Sequence, residues 1–418
     1  MKRTKLILSM LAIFGAPAAF AQEQGQDATN PFYVGVSGGV THVSNVYRTG
    51  EGSSGPSGSS NSDMVYTGSL LAGIDQRYGR QHLTADGSIN GNRYQHNSDL
   101  NNIGYNGRVG LDWHTIQNIS GNFSLGGSRQ LGSNNVGYGY APQYVKNVQT
   151  DFYASAVAHK GLVTEWTLDV GADYQRRSFS ATYYRRLDSR QHDVWIGPSW
   201  RPSDKLRLGM DYRLSKGELP YYSQDVVLGT VESNRFTRKD IDFTGAWVLS
   251  GASSFEWRIS RGKSTHNTTV GQDFSGTTGQ LSWNWRPSGR FSLQTQYVHD
   301  TGLSTSFLSF FGTSYNNYAQ DQVTNSWRLY GNYQYSGKLS FGANLSYSPA
   351  SLRVTPTGAP SSTDYNFRDY NANLSASWQY SRGITFACQA GRQWRTGAAE
   401  LYPYTANSIG CTGRILFF

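Results

Sequence analysis

Acidic and basic residues recur at alternate positions along this chain. That spacing suggests a file of hydrogen-bond donors and acceptors set along one wall. Arg77, Asp86, Arg108, Asp112, Asp169, Asp173, Arg177, Asp193, Arg207, Asp211, Arg213, Asp240, Asp242, Glu256, Arg258, Arg286 and Arg328 all fall on the polar side of a period-two pattern, among Asn, Gln, Ser and Thr. Tyr153, Trp195 and Tyr330 share that side. Guanidinium and amide groups hydrogen-bond hydroxyls and carboxylates, and aromatic faces stack on apolar ring faces, so the set suits many weak contacts with a passing polar ligand. The plainer alternative is that neighbouring Arg and Asp residues neutralise one another and that the rings are fillers.

Other chemistry finds less support. Eight His residues among many Ser and Asp make accidental Ser, His and Asp combinations inevitable, and neither HExxH nor a pair of catalytic carboxylates at a recognisable local spacing occurs. An enzyme is therefore not expected, and neither is a cofactor. Cys388 and Cys411 have no third or fourth ligand at usable spacing, so a metal is not expected either. The two cysteines lie equidistant from the Ala399/Glu400 midpoint of a polar connection, and antiparallel register would set them opposite one another. An oxidising compartment would permit a disulfide there, with two reduced thiols as the alternative.

Strands must position these residues. Trp166, Leu168, Val170, Ala172 and Tyr174 alternate with Thr167, Asp169, Gly171, Asp173 and Gln175, and the same division recurs in 206–215 and 339–348. Eight tight turns are legible, at Tyr78–Gln81, Gln117–Asn118, His159–Leu162, Arg201–Lys205, Ser250–Ser253, Arg286–Arg290, Ser336–Lys338 and Ser381–Gly383. Nine longer polar segments alternate with them, from the Gly/Ser-rich Arg48–Ser62, which reads as a flexible loop, to one centred on Leu401. The loop Gly302–Gln322 is aromatic enough to fold into a mouth or act as a lid. Seventeen connections join eighteen strands, or sixteen strands if the Gln117–Asn118 turn or the Tyr221 region is misread.

The expected fold is a transmembrane antiparallel up-and-down β-barrel with short periplasmic turns and long extracellular loops. A propeller blade would need four short strands per repeat of ~40 residues, whereas each repeat here holds two long ones. A soluble sandwich would bury its apolar face. However, Trp200, Trp247, Trp283, Trp285, Tyr333, Tyr335, Trp378 and Tyr380 gather on the apolar face just before short turns, as an aromatic girdle at a headgroup boundary would. The last stretch, Asn407–Phe418, alternates Ile409, Cys411, Gly413, Ile415 and Phe417 outward, which sends Arg414 inward. It is expected to close the barrel against the first strand.

Residues 1–21 read as a secretory signal: Lys2, Arg3 and Lys5, then an apolar run, then Ala19-Phe20-Ala21. This leaves residues 22–418 as one barrel domain in the outer membrane of a Gram-negative bacterium. The chain carries a net charge of +9, three units of which come from Lys2, Arg3 and Lys5, leaving +6. Scattered Arg residues and the absence of a Lys/Arg block argue against nucleic acid as a partner.

Arg77–Trp113, reading RYGRQHLTADGSINGNRYQHNSDLNNIGYNGRVGLDW, resembles the EpsL-type outer-membrane proteins encoded with exopolysaccharide biosynthesis systems. The paired cysteines and the SIGCTGR run resemble that family as well. The resemblance implies a passive conduit for polysaccharide export, with outer-membrane lipid, a polysaccharide chain and periplasmic export proteins as partners. A general or substrate-selective diffusion porin for small solutes is the alternative, and an outer-membrane lipid-modifying enzyme is a distant third.

Overall fold

The computed structural model describes residues 31–50, 60–135, 142–161, 165–224, 231–267, 273–301, 323–354, 363–397 and 402–418. They form eighteen strands: β1 (Phe32–Val43), β2 (Asp63–Tyr78), β3 (Gln81–Tyr94), β4 (Asn102–His114), β5 (Ile119–Leu131), β6 (Val148–Lys160), β7 (Trp166–Phe179), β8 (Ser189–Ser203), β9 (Leu206–Gln224), β10 (Val231–Ser250), β11 (Ser253–His266), β12 (Phe274–Ser288), β13 (Phe291–Thr301), β14 (Val323–Gln334), β15 (Leu339–Val354), β16 (Thr363–Gln379), β17 (Ile384–Gly397) and β18 (Tyr404–Phe417). Each pairs antiparallel with its neighbour in sequence, and β1 pairs with both β2 and β18, so the sheet closes on itself. The short connections fall where the turn residues predict them. Gly79, Asn118 and Gly161 take the left-handed backbone there, which Gly adopts freely and Asn tolerates.

The alternation fixes which face is which. On β7 the positions from Trp166 to Tyr174 alternate exposed apolar with covered polar, and the pattern carries around the barrel. Exposed apolar residues cover the exterior, with Leu70 at 65% and Ile103 at 68% exposure. An apolar surface running right round the barrel far exceeds what a water-facing protein leaves open, so the exterior is a lipid-facing surface. Near the short turns, Trp166 stacks on Trp200 with centroids 6.0 Å apart, and Trp283 stacks on both Phe255 and Trp285. Trp378 stacks on Phe386. A second aromatic ring that the sequence reading had not assigned marks the opposite edge, with Tyr297 against Trp327 at 4.5 Å and Tyr370 on Trp394 at 4.8 Å.

Cys388 and Cys411 are register partners on the outer face and form a disulfide with Cα atoms 4.0 Å apart. Arg414 pairs with Ser37 across the β1–β18 seam and points inward. A bond across the last hairpin ties the closing strand to its neighbour.

Two small apolar clusters sit at the long-loop end, Val46, Tyr47 and Leu100 in one, and Phe179, Tyr184 and Leu187 in the other. The first stands beside the start of Arg48–Ser62, read as a flexible loop, and residues 48–50 of that segment are held in place. Asn45 holds Thr49 through the Thr49 N–H (3.1 Å) and its own amide N–H to the Thr49 carbonyl (2.8 Å), and Asn135 donates to the Arg48 carbonyl at 2.7 Å. The entry of that loop is thus packed into the mouth, while residues 51–59 lie outside the described residues. So does the aromatic segment 302–322 read as a lid.

Candidate functional site

The interior has two unlike walls. On β9–β13, Arg213 pairs with Asp242 at 2.9 Å, donates to it through Nη2 at 3.2 Å and reaches Asp240 at 3.4 Å, while Arg238 meets Asp240 at 2.9 Å and Asp300 at 3.5 Å. Arg258, on the adjoining strand β11, lies within electrostatic reach of Asp242 and Asp300, so three guanidiniums face three carboxylates. The side chains of Arg213, Asp240 and Asp242 are only 6%, 0% and 5% exposed. Gly262 pairs with Asp240 and makes room for it: a methyl group at position 262 would stand 2.0 Å from the carboxylate. Arg328 is likewise buried, beside Gln296 at 3.4 Å.

This wall extends towards the short turns. Asp169 accepts from His159 at 2.6 Å and from Arg207 at 2.5 Å, and Arg207 also donates to Ser199. A His–Asp pair of this length resembles a catalytic dyad, but the carboxylate is shared with a guanidinium and faces the interior, away from lipid. Asp211 sits one step further along, against Thr244. Letters matching GxSxG do occur, at Gly35-Val36-Ser37-Gly38-Gly39, yet they run straight through β1 without the strand-to-helix turn that a nucleophile elbow needs. Among the described residues no group of three or more His, Cys, Asp or Glu is placed to hold a metal ion.

The other wall is open. One row of register partners runs Tyr33, Gly73, Asp86, Arg108, Gly126, Tyr153 and Gln175 across β1 to β7. Arg108 and Asp86 are bonded to each other yet remain 43% and 37% exposed, in contrast to the covered network opposite. A ring flanks the pair on either side. The outer end of the Tyr33 ring lies over Gly73 and that of Tyr153 over Gly126, each 2.3 Å from where a methyl carbon would stand. The two glycines therefore leave room for the rings against the wall, room that any side chain at 73 or 126 would take. Two inward positions nearer the short turns, Trp195 lies over Gly171 in the same way, its indole N–H donating to Asp173.

Gly126→Ala is expected to lift Tyr153 off the wall into the bore. Single-channel conductance falls, overpacking costs about 1–2 kcal/mol, and adding Tyr153→Ala restores conductance; an unchanged current in Gly126→Ala would contradict the placement.

The remaining predicted residues are dispersed. Arg77 and Asp112 lie on the open wall near His82, which bonds Asp75 at 2.6 Å. Arg177 pairs with Asp151 at 2.6 Å, and Asp193 accepts from Gln191. Glu256 and Arg286 lie towards the short turns of β11 and β12, and Tyr330 pairs with Asn344 on β15. Sequence reasoning missed Tyr33, Asp151, Arg238, Asp300, Asp369 and Arg395. Arg238 shares the alternation of Asp240 and Asp242 and was within reach of that reading. Asp300 was hidden because Val298, its inward neighbour, is apolar and buried.

Above the membrane the mouth is braced by hydrogen bonds. Tyr184 donates to the Asn134 carbonyl at 2.6 Å, and burial pushes its hydroxyl up to about 12. Arg395 bonds Asp369 and Asn135 at 2.9 and 2.8 Å. Asp188 accepts the Phe179 N–H at 2.7 Å, and burial pushes its carboxyl up to about 6 despite that bond. A raised carboxyl pKa means the folded loop favours the protonated form, so the loop loses stability as pH rises from about 4 through about 6. Asp188→Asn should keep the Phe179 bond and abolish that dependence. Proteolysis of the 180–188 loop, followed from pH 4.5 to 7.5, is the check; identical profiles for parent and variant would contradict it.

No family model matches the chain, and no curated protein does. Solved structures that resemble it include OpdL of Pseudomonas aeruginosa, at 11% identity over 93% of this chain and 98% of that one, with a TM-score of 0.41. OccK11 (OpdR) of Pseudomonas aeruginosa gives 12% identity over 93% and 96%, with a TM-score of 0.41. The siderophore receptor PirA of Pseudomonas aeruginosa gives 12% over 94% and 81%, with a TM-score of 0.38.

Proposed function

We propose that this barrel is an outer-membrane conduit whose open wall guides a polysaccharide outward. The observation that carries the reading is the row in which Tyr33 and Tyr153 flank the solvated Asp86–Arg108 pair, the outer end of each ring set over a glycine. Ring faces suit the apolar faces of sugars, and the ion pair suits their hydroxyls and carboxylates. Trp195 extends the aromatic surface towards the short-turn end, with Ser155, Asp173 and Asp193 at the positions between. The contacts are individually weak and repeated, which allows a chain to enter and to leave.

In this reading residues 1–21 are removed on secretion, the short turns face the periplasm, and periplasmic export proteins deliver the polymer. The EpsL-type resemblance of Arg77–Trp113 supports it, since that stretch supplies Asp86 and Arg108. A strain lacking the protein should retain polymer in its periplasm and release little; normal release would overturn export.

Diffusion of small solutes is the second reading. It draws on the buried Arg–Asp network, which lines the β9–β13 side. Loss of small-solute uptake with normal polymer release would favour it.

A further inference from the structure

The exterior changes character on one sector just beyond the apolar belt. On β7 five apolar outward positions end at Tyr174, and the next outward residue is Arg176. On β9 the outward run ends at Leu214 and gives way to Lys216. Lys239 follows Ile241 on β10, and Lys263 lies two outward positions beyond Ile259 on β11. All of these cations are exposed. At the corresponding edge of β13–β17 the outward cations Arg368 and Arg392 stand singly beside the aromatic pairs Tyr297–Trp327 and Tyr370–Trp394.

Register makes the sector more unusual. Lys239 stands directly opposite Lys263, and Arg176 directly opposite Arg190. Like charges facing each other across a strand pair are destabilising unless an anion lies between them. Glu218 accepts from Arg190 and Arg235, but Lys216, Lys239 and Lys263 lie a step or more nearer the lipid. Their exposed side chains stand just beyond the outward apolar residues Leu214, Ile241 and Ile259.

We propose that this sector binds the phosphate groups of a phosphorylated glycolipid of the outer leaflet. Its acyl chains lie on Val194, Ile241 and Ile259 while the sugar phosphates bridge the opposed cations. This rests on the reading of the chain as an outer-membrane barrel with its long loops outside. Bound lipid would hold the β7–β11 sector, the one backed by the buried charge network, fixed relative to the rest of the wall.

The test is native mass spectrometry of the purified barrel with bis-phosphorylated lipid A, its dephosphorylated form and phosphatidylglycerol. The parent should retain the bis-phosphorylated glycolipid preferentially. Lys216→Gln/Lys239→Gln/Lys263→Gln should bind it about 30-fold more weakly or worse, whereas Arg93→Gln/Arg129→Gln, on another sector, should bind as the parent does. Equal retention by the triple variant, or equal retention of the dephosphorylated lipid or of phosphatidylglycerol by the parent, overturns the proposal. Ion current recorded from the same preparations separates the two ideas: a conducting triple variant with unchanged lipid binding defeats the lipid site alone, and a parent that binds lipid without conducting defeats the conduit alone.

Discussion

Asp240→Ala is expected to destabilise the barrel by about 3–5 kcal/mol, because it strips a shared carboxylate from two guanidiniums that cannot reach water. Asp240 is fully covered and lies between Arg213 and Arg238 at 3.4 and 2.9 Å. Removing it leaves Asp242 and Asp300 to balance three arginines in a low-dielectric wall. Asp86→Ala is the control, since it breaks an ion pair of the same chemistry that stays more than a third exposed on both partners. An exposed pair of that kind is worth about 1 kcal/mol at most. Urea unfolding in detergent micelles would compare the two. Equal midpoint shifts would show that the network is as wet as the open wall, and the division of the interior into a structural half and a ligand-facing half would fall.

The second large effect concerns the rings. Tyr33→Ala/Tyr153→Ala should weaken binding of oligosaccharides cut from the organism's own polymer by about 30-fold, taking about 1 kcal/mol of stacking from each ring. Stability should change little, because both rings lie over glycines on the open wall, outside the buried charge network of β9–β13. Tyr330→Ala is the companion variant: Tyr330 also faces inward, but on β14, outside the row, so its loss should leave oligosaccharide affinity near that of the parent. Titration calorimetry with the parent, the double variant and Tyr330→Ala distinguishes a specific row from a generally aromatic bore. Equal losses in both variants would make the rings fillers.

The strand count and the inward set were legible in the sequence because both depend on local rules. Period-two alternation assigns the face, and Gly79, Asn118 and Gly161 mark turns whose backbone only a few residues adopt. The cysteine pair was legible too, since one hairpin sets its register. The difference between the two walls was not. Arg213 and Arg108 look alike in sequence, each on an inward position near an Asp, yet one is buried and the other solvated. That depends on which strands crowd together inside, which no local pattern encodes. The Tyr33–Tyr153 row was likewise out of reach, because aligning it requires the registers of five successive strand pairs, and a one-residue slip in any of them would turn the partner outward. Tyr33 also belongs to the first strand, where no preceding hairpin anchors the reading.

A polysaccharide conduit is tested most directly by the current through a single barrel in a planar bilayer while the organism's exopolysaccharide is added on the short-turn side. The expected result is an open channel with transient blockades that lengthen with chain length, that unrelated neutral sugars do not produce, and that shorten sharply in Tyr33→Ala/Tyr153→Ala. A channel that passes ions but ignores the polymer, or blockades indifferent to the loss of both rings, would contradict it.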